Sequence, residues 1–192
     1  AEAEIEYEDE ASPSIFVKFP FIDDLGDADP VLKGRRVSCV IWTTTPWTLP
    51  ANLAIALHPE FGYAAVESAD GDLYVLAKDL VPSCMARFGM TDYRVVSELT
   101  AASLEKKRCR HPFYDREVPI ILGEHVTLEA GTGAVHTAPG HGLEDYVVGA
   151  RYKLPVDNPV GGDVRILAST EIRQDLWKFL GVVLFLDTGQ VW

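Results

Sequence analysis

Cysteine is scarce and positive charge is in deficit, and both shortages narrow what this chain can be. Three cysteines, Cys39, Cys84 and Cys109, are spread over 192 residues. They are odd in number, and no two have metal-ligand spacing, so they read as reduced, partly buried thiols. Free thiols of that kind point to a cytoplasmic setting. Lys and Arg total 17 against 29 Asp and Glu, a net charge of −12. A surface of that sign repels phosphate backbones, which argues against a free-standing nucleic-acid binder. A small basic cluster, Lys106-Lys107-Arg108 with Arg110, could meet phosphates but is better read as a solvated surface charge run. No apolar run reaches membrane-spanning length and no basic-then-apolar signal segment opens the chain, so no membrane partner is expected. There is no Gly-x-Ser-x-Gly elbow and no Cys/His pair at an informative spacing, which leaves no sign of an activated serine or cysteine. Internal repeats are lacking too.

What is present is ordinary for a globular protein: 47% hydrophobic and 24% charged residues, and a length sufficient for one domain with a real core. The first residue is Ala1 rather than Met, which reads as a single domain, 1–192, excised from a longer protein. Residues 2–10 alternate Glu with Ala, Ile and Tyr, a strand with one charged face. Further strands are expected at 15–19, 37–45, 63–67, 73–77, 93–99, 118–122, 126–128 and 133–137. The pair at 63–67 and 73–77 flanks Asp70-Gly71, a hairpin signal. Residues 79–88 have helical spacing and end at Gly89, a suitable C-cap, with Pro82 in the first turn. Many short strands with turn signals give a β-rich α+β domain.

Two stretches carry chemistry. The first is Ile41-Trp42-Thr43-Thr44-Thr45-Pro46-Trp47-Thr48-Leu49-Pro50-Ala51-Asn52. It follows the apolar run 37–41, and its two prolines remove backbone donors, so the sheet ladder stops there. Four hydroxyls, two indoles and a carboxamide leave the sheet together. Such a set suits a pocket holding a small polar substrate against an apolar wall. It equally suits a plain threonine-rich strand end.

The second stretch runs Gly131-Thr132-Gly133-Ala134-Val135-His136-Thr137-Ala138-Pro139-Gly140-His141-Gly142-Leu143-Glu144-Asp145-Tyr146. Residues 142–152 read as a helix, with Tyr146 and Ala150 on the face of Gly142. Glu144 and Asp145 fall in its first turn, where the helix dipole favours carboxylates. On that reading alone, losing Asp145 costs only about 0.3–1 kcal/mol of stability.

Taken together, the two stretches resemble the editing domain of the isoleucyl-tRNA synthetase family of class I synthetases. Ser12-Pro13-Ser14-Ile15, Ala77-Lys78-Asp79-Leu80, His111-Pro112-Phe113 and Asn158-Pro159-Val160 resemble the same family in the same order. The valyl and leucyl relatives share the threonine-rich motif. The resemblance covers roughly 1–160. Residues 161–192 depart from the family pattern, and Ile172, Leu176, Phe179, Leu180, Val183, Leu184 and Asp187 there follow the spacing of an amphipathic helix.

The resemblance implies a barrel-like sheet with peripheral helices. It implies hydrolysis of the ester that joins valine, wrongly attached, to the 3′ end of tRNA(Ile), with valyl-adenylate as a further substrate. The remainder of the synthetase would act in cis and grip the tRNA. No cofactor and no metal are implied. By the same resemblance Asp145 pairs with the substrate's α-ammonium, and Thr43, Thr44 and Thr45 orient the carbonyl, the ribose hydroxyl or the water. Trp47 and His136 shape the side-chain pocket. Asn52 binds the terminal adenosine or supports the loop. Thr48, Thr137, Gly140 and His141 complete the substrate-binding set. Two rivals stand beside it: a silent module that only docks the tRNA end, and a metal-dependent hydrolase using His136, His141, Glu144 and Asp145.

Overall fold

The computed structural model describes residues 14–157, 159 and 186–187. Two sheets dominate. The first has six strands in the order β10-β1-β2-β5-β4-β6. These are β1 (Ser14–Pro20), β2 (Val37–Thr43), β4 (Gly62–Ser68), β5 (Leu73–Ala77), β6 (Tyr93–Thr100) and β10 (Leu186–Asp187). Within this sheet, among the described residues, only the β2–β5 pairing is parallel. The second sheet orders β7 (Arg108–Arg110), β8 (Glu117–Leu122), β3 (Ala54–Leu57) and β9 (Ala134–Thr137) as β7-β8-β3-β9. Helices are short and peripheral: α1 (Val81–Arg87), α2 (Ala101–Leu104) and α3 (Leu143–Arg151).

The main core lies between the sheets. Phe19, Ile41 and Val75 of the first meet Ile55, Leu57 and Ile120 of the second. Each sheet also buries its outer face. Cys84, Met85 and Phe88, on or just after α1, cover Phe16, Val40 and Leu76. Val148 of α3 covers Ala54, Ala56 and Ile121. Double coverage explains why β2 and β3 are continuous apolar runs rather than alternating ones. Each fully buried Leu, Ile or Phe contributes about 1.5–3 kcal/mol.

The sheets touch along two seams. Phe21, just past β1, bridges Cys109 of β7. Ala77 N–H, at the end of β5, donates to Thr132 O at 2.8 Å, ahead of β9. The second seam needs glycine. Gly133 has φ +72°, and a Cβ there would stand 2.3 Å from the Ala77 Cβ. The β-rich α+β class thus stands, with the sheets wrapped around one core. Among the described residues they do not close into one hydrogen-bonded barrel.

Most expected elements are found, with instructive differences. β2 ends at Thr43 rather than 45, because Thr45 N–H turns back to Thr43 Oγ1 at 3.0 Å and Pro46 has no donor. Residues 126–128 form no strand. Val126 N–H closes a turn onto Gly123 O, and its side chain plugs the α3 face. β3, β7 and α2 had no clear signal. Asp187, included in the helical spacing of the C-terminal stretch, pairs instead with Ser14 in a strand. The rest of that expected helix, and the expected strand at 2–10, lie outside the described residues.

The three thiols are buried and free, as expected. Burial pushes Cys39 up to about 12 and Cys84 up to about 11, so neither is a nucleophile near neutrality. The basic cluster is largely neutralised within the fold. Lys107 pairs with Asp27, Arg108 with Asp23 and Glu117, and Arg110 with Asp115.

Candidate functional site

At the end of β2 the chain enters a 3-10 turn, Pro46–Ala51, with Thr45 at its N-cap. Pro46 suits that first position, since its missing N–H has no partner to lose. Three of the threonines then form a connected array. Thr43 Oγ1 lies 3.3 Å from Thr45 Oγ1, which lies 3.3 Å from Thr48 Oγ1. Thr48 Oγ1 in turn lies 3.1 Å from His136 Nε2, on β9 across the core.

The direction of these bonds follows from counting protons. A threonine hydroxyl has one hydrogen. Thr48 directs its hydrogen to Thr45 O at 2.8 Å. His136 Nε2 must therefore donate to Thr48, and Thr45 must donate along the array rather than accept from Thr48. The imidazole therefore carries a hydrogen on Nε2. Burial pushes the His136 pKa down to about 4, consistent with a neutral ring at pH 7. Its Nδ1 is buried without a partner among the described residues. The hydroxyl–hydroxyl distances exceed the usual O–H···O length, so the threonines are loosely held and open to exchange partners with a bound molecule.

The 46–51 turn is fixed from behind by two residues the sequence did not single out for this. His111 Nε2 donates to Leu49 O at 3.0 Å, and its Nδ1 accepts from Tyr114 N–H at 3.2 Å. Burial pushes His111 down to about 4 as well. Arg116 Nη1 donates to Pro50 O at 3.1 Å and to Asn52 O at 2.7 Å. The His111-Pro112-Phe113 segment thus acquires a physical task, to seat the threonine-rich turn. Asn52 is fully buried, and its Nδ2 donates to Ala54 O at 2.8 Å, which makes it a support of the loop. Trp47 is half-buried on the same turn, and Thr44 is half-buried beside Thr43.

Asp145 sits in the first turn of α3, half-buried. Its Oδ2 accepts from Ala138 N–H at 2.8 Å, tying the helix to the loop that leaves β9. Burial raises its pKa, while the Ala138 N–H and the nearby His125 and His141 lower it. His141 also acts electrostatically on His136. The Nε2 of His141 is buried and unpartnered among the described residues. Thr137, paired with Ala54 on β9, is fully buried with Oγ1 unpartnered. Gly140 lies in the turn between Pro139 and His141.

The expected residues thus fall into two linked groups. The threonines and His136 form one, with Trp47 on the same turn. Asp145, His141 and the Ala138 loop form the other, joined to it through β9. Among the described residues no three of His, Cys, Asp and Glu form a set that could hold a metal ion. Glu144 instead lines a cavity of about 250 Å³ beside α3.

A family model described as "Leucyl-tRNA synthetase, editing domain" matches residues 95–176. The isoleucine–tRNA ligase of Desulfotalea psychrophila is 56% identical over 163 residues, 85% of this chain and 17% of that protein. That of Methylococcus capsulatus is 56% identical over 179 residues, covering 90% and 19%. That of Geobacter sulfurreducens is 53% identical over 179 residues, covering 93% and 19%. The chain spans under a fifth of the length of these curated relatives. A solved structure described as "GlLeuRS-CP1" superposes with a TM-score of 0.59 at 18% identity, over 74% of this chain and 65% of that one. A P. falciparum cytosolic leucyl-tRNA synthetase editing domain gives 0.58 at 10% identity, over 91% and 90%. At those identities the likeness concerns the fold.

Proposed function

The chain belongs to the isoleucine–tRNA ligase family, as its editing domain, and we propose that it hydrolyses valine from wrongly charged tRNA(Ile). The observation that carries this reading is the array Thr43–Thr45–Thr48–His136 at the mouth of β2. It offers several replaceable hydroxyls against a neutral ring, and among the described residues burial keeps the three thiols protonated.

The reaction asks little of the protein. An aminoacyl ester is already activated, so holding a water in line and stabilising the developing oxyanion suffices. Water attacks the ester carbon, the bond to the ribose oxygen breaks, and that oxygen leaves with a proton. Valine and tRNA are the products. Thr43, Thr44 and Thr45 orient the water, the carbonyl or the neighbouring ribose hydroxyl. Asp145 takes the α-ammonium through a charge-assisted contact. His136, being neutral, adds no positive charge to compete with that ammonium. Trp47 and His136 form walls sized for valine. Asn52 supports the loop rather than reaching the adenosine, given its complete burial.

The 3′ end of tRNA(Ile) is the partner, delivered by the remainder of the ligase in cis. Valyl-adenylate carries the same valyl group and fits the same pocket. The paired basic cluster and the net charge of −12 favour weak binding of tRNA by this chain alone. Hydrolysis of Val-tRNA(Ile), assayed with the chain alone and with the chain exchanged into a full-length isoleucine–tRNA ligase, tests the reading. A silent docking module would leave the ester intact in both settings, and loss of turnover with a chelator would favour the metal-dependent alternative.

A further inference from the structure

Gly149 is a buried position inside α3, where helix propensity alone would favour alanine. What lies across from it calls for glycine. A Cβ placed there would stand 2.8 Å from Pro139 Cγ and 3.4 Å from Pro139 Cβ. Carbon atoms that are not bonded do not approach so closely, so α3 could not lie where it does with a side chain at 149. Pro139 follows Ala138 in the loop that leaves β9, and Ala138 N–H is the donor to Asp145 Oδ2 at 2.8 Å. Asp145 and Gly149 are four residues apart on the helix and share the face that meets this loop. Two successive loop residues thus meet two residues of one helix face, one through a hydrogen bond and one through a bare Cα against a proline ring.

The other end of α3 is tied down. Tyr152, its C-cap, accepts from Leu122 N–H at 3.0 Å through its hydroxyl, which donates to Glu105 Oε1 at 2.8 Å. With that end pinned to β8, crowding at 149 would be relieved by tilting the N-terminal end of α3 off the loop. Asp145 is the third residue of the helix, from which a carboxylate commonly reaches back to the N–H of the N-cap. Here it reaches past the cap to Ala138, so the separation of helix and loop decides whether the bond forms. We propose that Gly149 is a positioning residue for Asp145: its bare Cα lets α3 close on Pro139, and that closeness seats the carboxylate on Ala138 N–H. The consequence for hydrolysis rests on Asp145 as the partner of the substrate's ammonium.

Hydrogen exchange at the Ala138 amide reports the seat directly, whatever the chain's activity. Gly149→Ala is expected to speed that exchange by about tenfold or more, while the amides of β3 keep their protection and show that the sheet stays folded. Pro139→Ala removes the ring carbon that the new Cβ would meet. Combined with Gly149→Ala, it is expected to return Ala138 exchange to the rate of the Pro139→Ala single variant, the non-additivity of a direct contact. Unmoved exchange in Gly149→Ala, or an equal acceleration whether 139 is proline or alanine, would overturn the proposal. Should Gly149→Ala alone fail to fold, the double variant is expected to fold, and a double variant that does not would overturn it equally. Val-tRNA(Ile) hydrolysis is expected to fall about tenfold or more in Gly149→Ala and to return in the double variant to the Pro139→Ala level. Full hydrolysis alongside accelerated exchange would overturn the role in the reaction. Exchange that responds while wild type hydrolyses nothing would sink the hydrolase reading and leave the seating of Asp145 standing.

Discussion

His136 Nε2 stands 3.1 Å from Thr48 Oγ1 and is the donor of that bond, because Thr48 has already directed its hydrogen to Thr45 O. One contact thus places a hydrogen on Nε2 and ties the ring to the loop. It also joins β9 to the turn that follows β2, two segments far apart in the chain.

Thr48→Val keeps the shape and removes the oxygen. It leaves the His136 Nε2–H buried without an acceptor, while Thr45 O keeps only the Thr48 backbone N–H at 3.0 Å. The expected loss is about 1–3 kcal/mol of stability, read from urea midpoints. Thr48→Ser should stay near wild type. If valine at 48 is as stable as threonine, the proton assignment is wrong.

Acid should weaken the fold through His111 and His136. Both have folded pKa values of about 4, against 6.5 when unperturbed. Above pH 6.5 neither state binds the proton and there is no penalty. Between pH 6.5 and 4 the unfolded chain takes up protons that the folded chain refuses, so stability falls with pH. Each ring contributes a loss of about 2 kcal/mol at pH 5. Asp145 acts in the opposite sense, since its raised pKa means that protonation relieves the fold. Urea unfolding at pH 7.5 and pH 5 measures the net slope, and a flat profile across this window would show that the two rings titrate normally.

Asp145 should separate structure from chemistry when replaced in two ways. Asp145→Ala strips Ala138 N–H of its acceptor, a loss of about 1–3 kcal/mol. That exceeds the dipole loss expected from its helix position alone. Asp145→Asn keeps an oxygen for Ala138 and removes the charge. It should fold like wild type yet lose roughly 30-fold or more in hydrolysis, the lower end of about 2–5 kcal/mol for a broken charge pair. Normal turnover by a folded asparagine variant would take Asp145 out of the site.

Arg116→Ala should lower hydrolysis without any contact to substrate. It frees Pro50 O and Asn52 O, two of the carbonyls that seat the turn. Each lost hydrogen bond to a charged group is worth about 1.5–3 kcal/mol. Stability and turnover should fall together. A fall in stability alone would mean that the turn keeps its geometry without the clamp.

The threonine-rich turn and the first-turn carboxylate were legible in the sequence because proline, helix spacing and the dipole act locally. The seating of that turn was not. His111 and Arg116 reach carbonyls more than sixty residues away, and a backbone carbonyl leaves no trace in residue identity. β3 was missed because Ala54-Ile55-Ala56-Leu57 is buried on both faces and shows no alternation. The reverse error at 126–128 came from reading Val126 as a strand residue when it is a plug beneath α3. The roles of Thr43, Thr44, Thr45 and Trp47 came from family likeness, since spacing alone cannot say which hydroxyl meets a substrate.

The size sieve is the central claim, and the ratio of Val-tRNA(Ile) to Ile-tRNA(Ile) hydrolysis tests it most directly. A synthetic site that fits isoleucine rejects valine by only about 1–3 kcal/mol, a general figure for which the isoleucine synthetase itself is the standard example rather than a value found from this pocket. A second pocket sorts in the opposite direction, because an extra methylene in a stiff, full site costs about 1–3 kcal/mol in strain. His136 is held on one side by Thr48, and Trp47 rides on a turn clamped by His111 and Arg116. Wild type should therefore cleave the valyl ester and spare the isoleucyl ester, by roughly tenfold or more. His136→Ala, which opens one wall, should raise isoleucyl cleavage while valyl cleavage continues. Equal cleavage of both esters by wild type, or a ratio unchanged in folded His136→Ala and Trp47→Ala proteins, would contradict it.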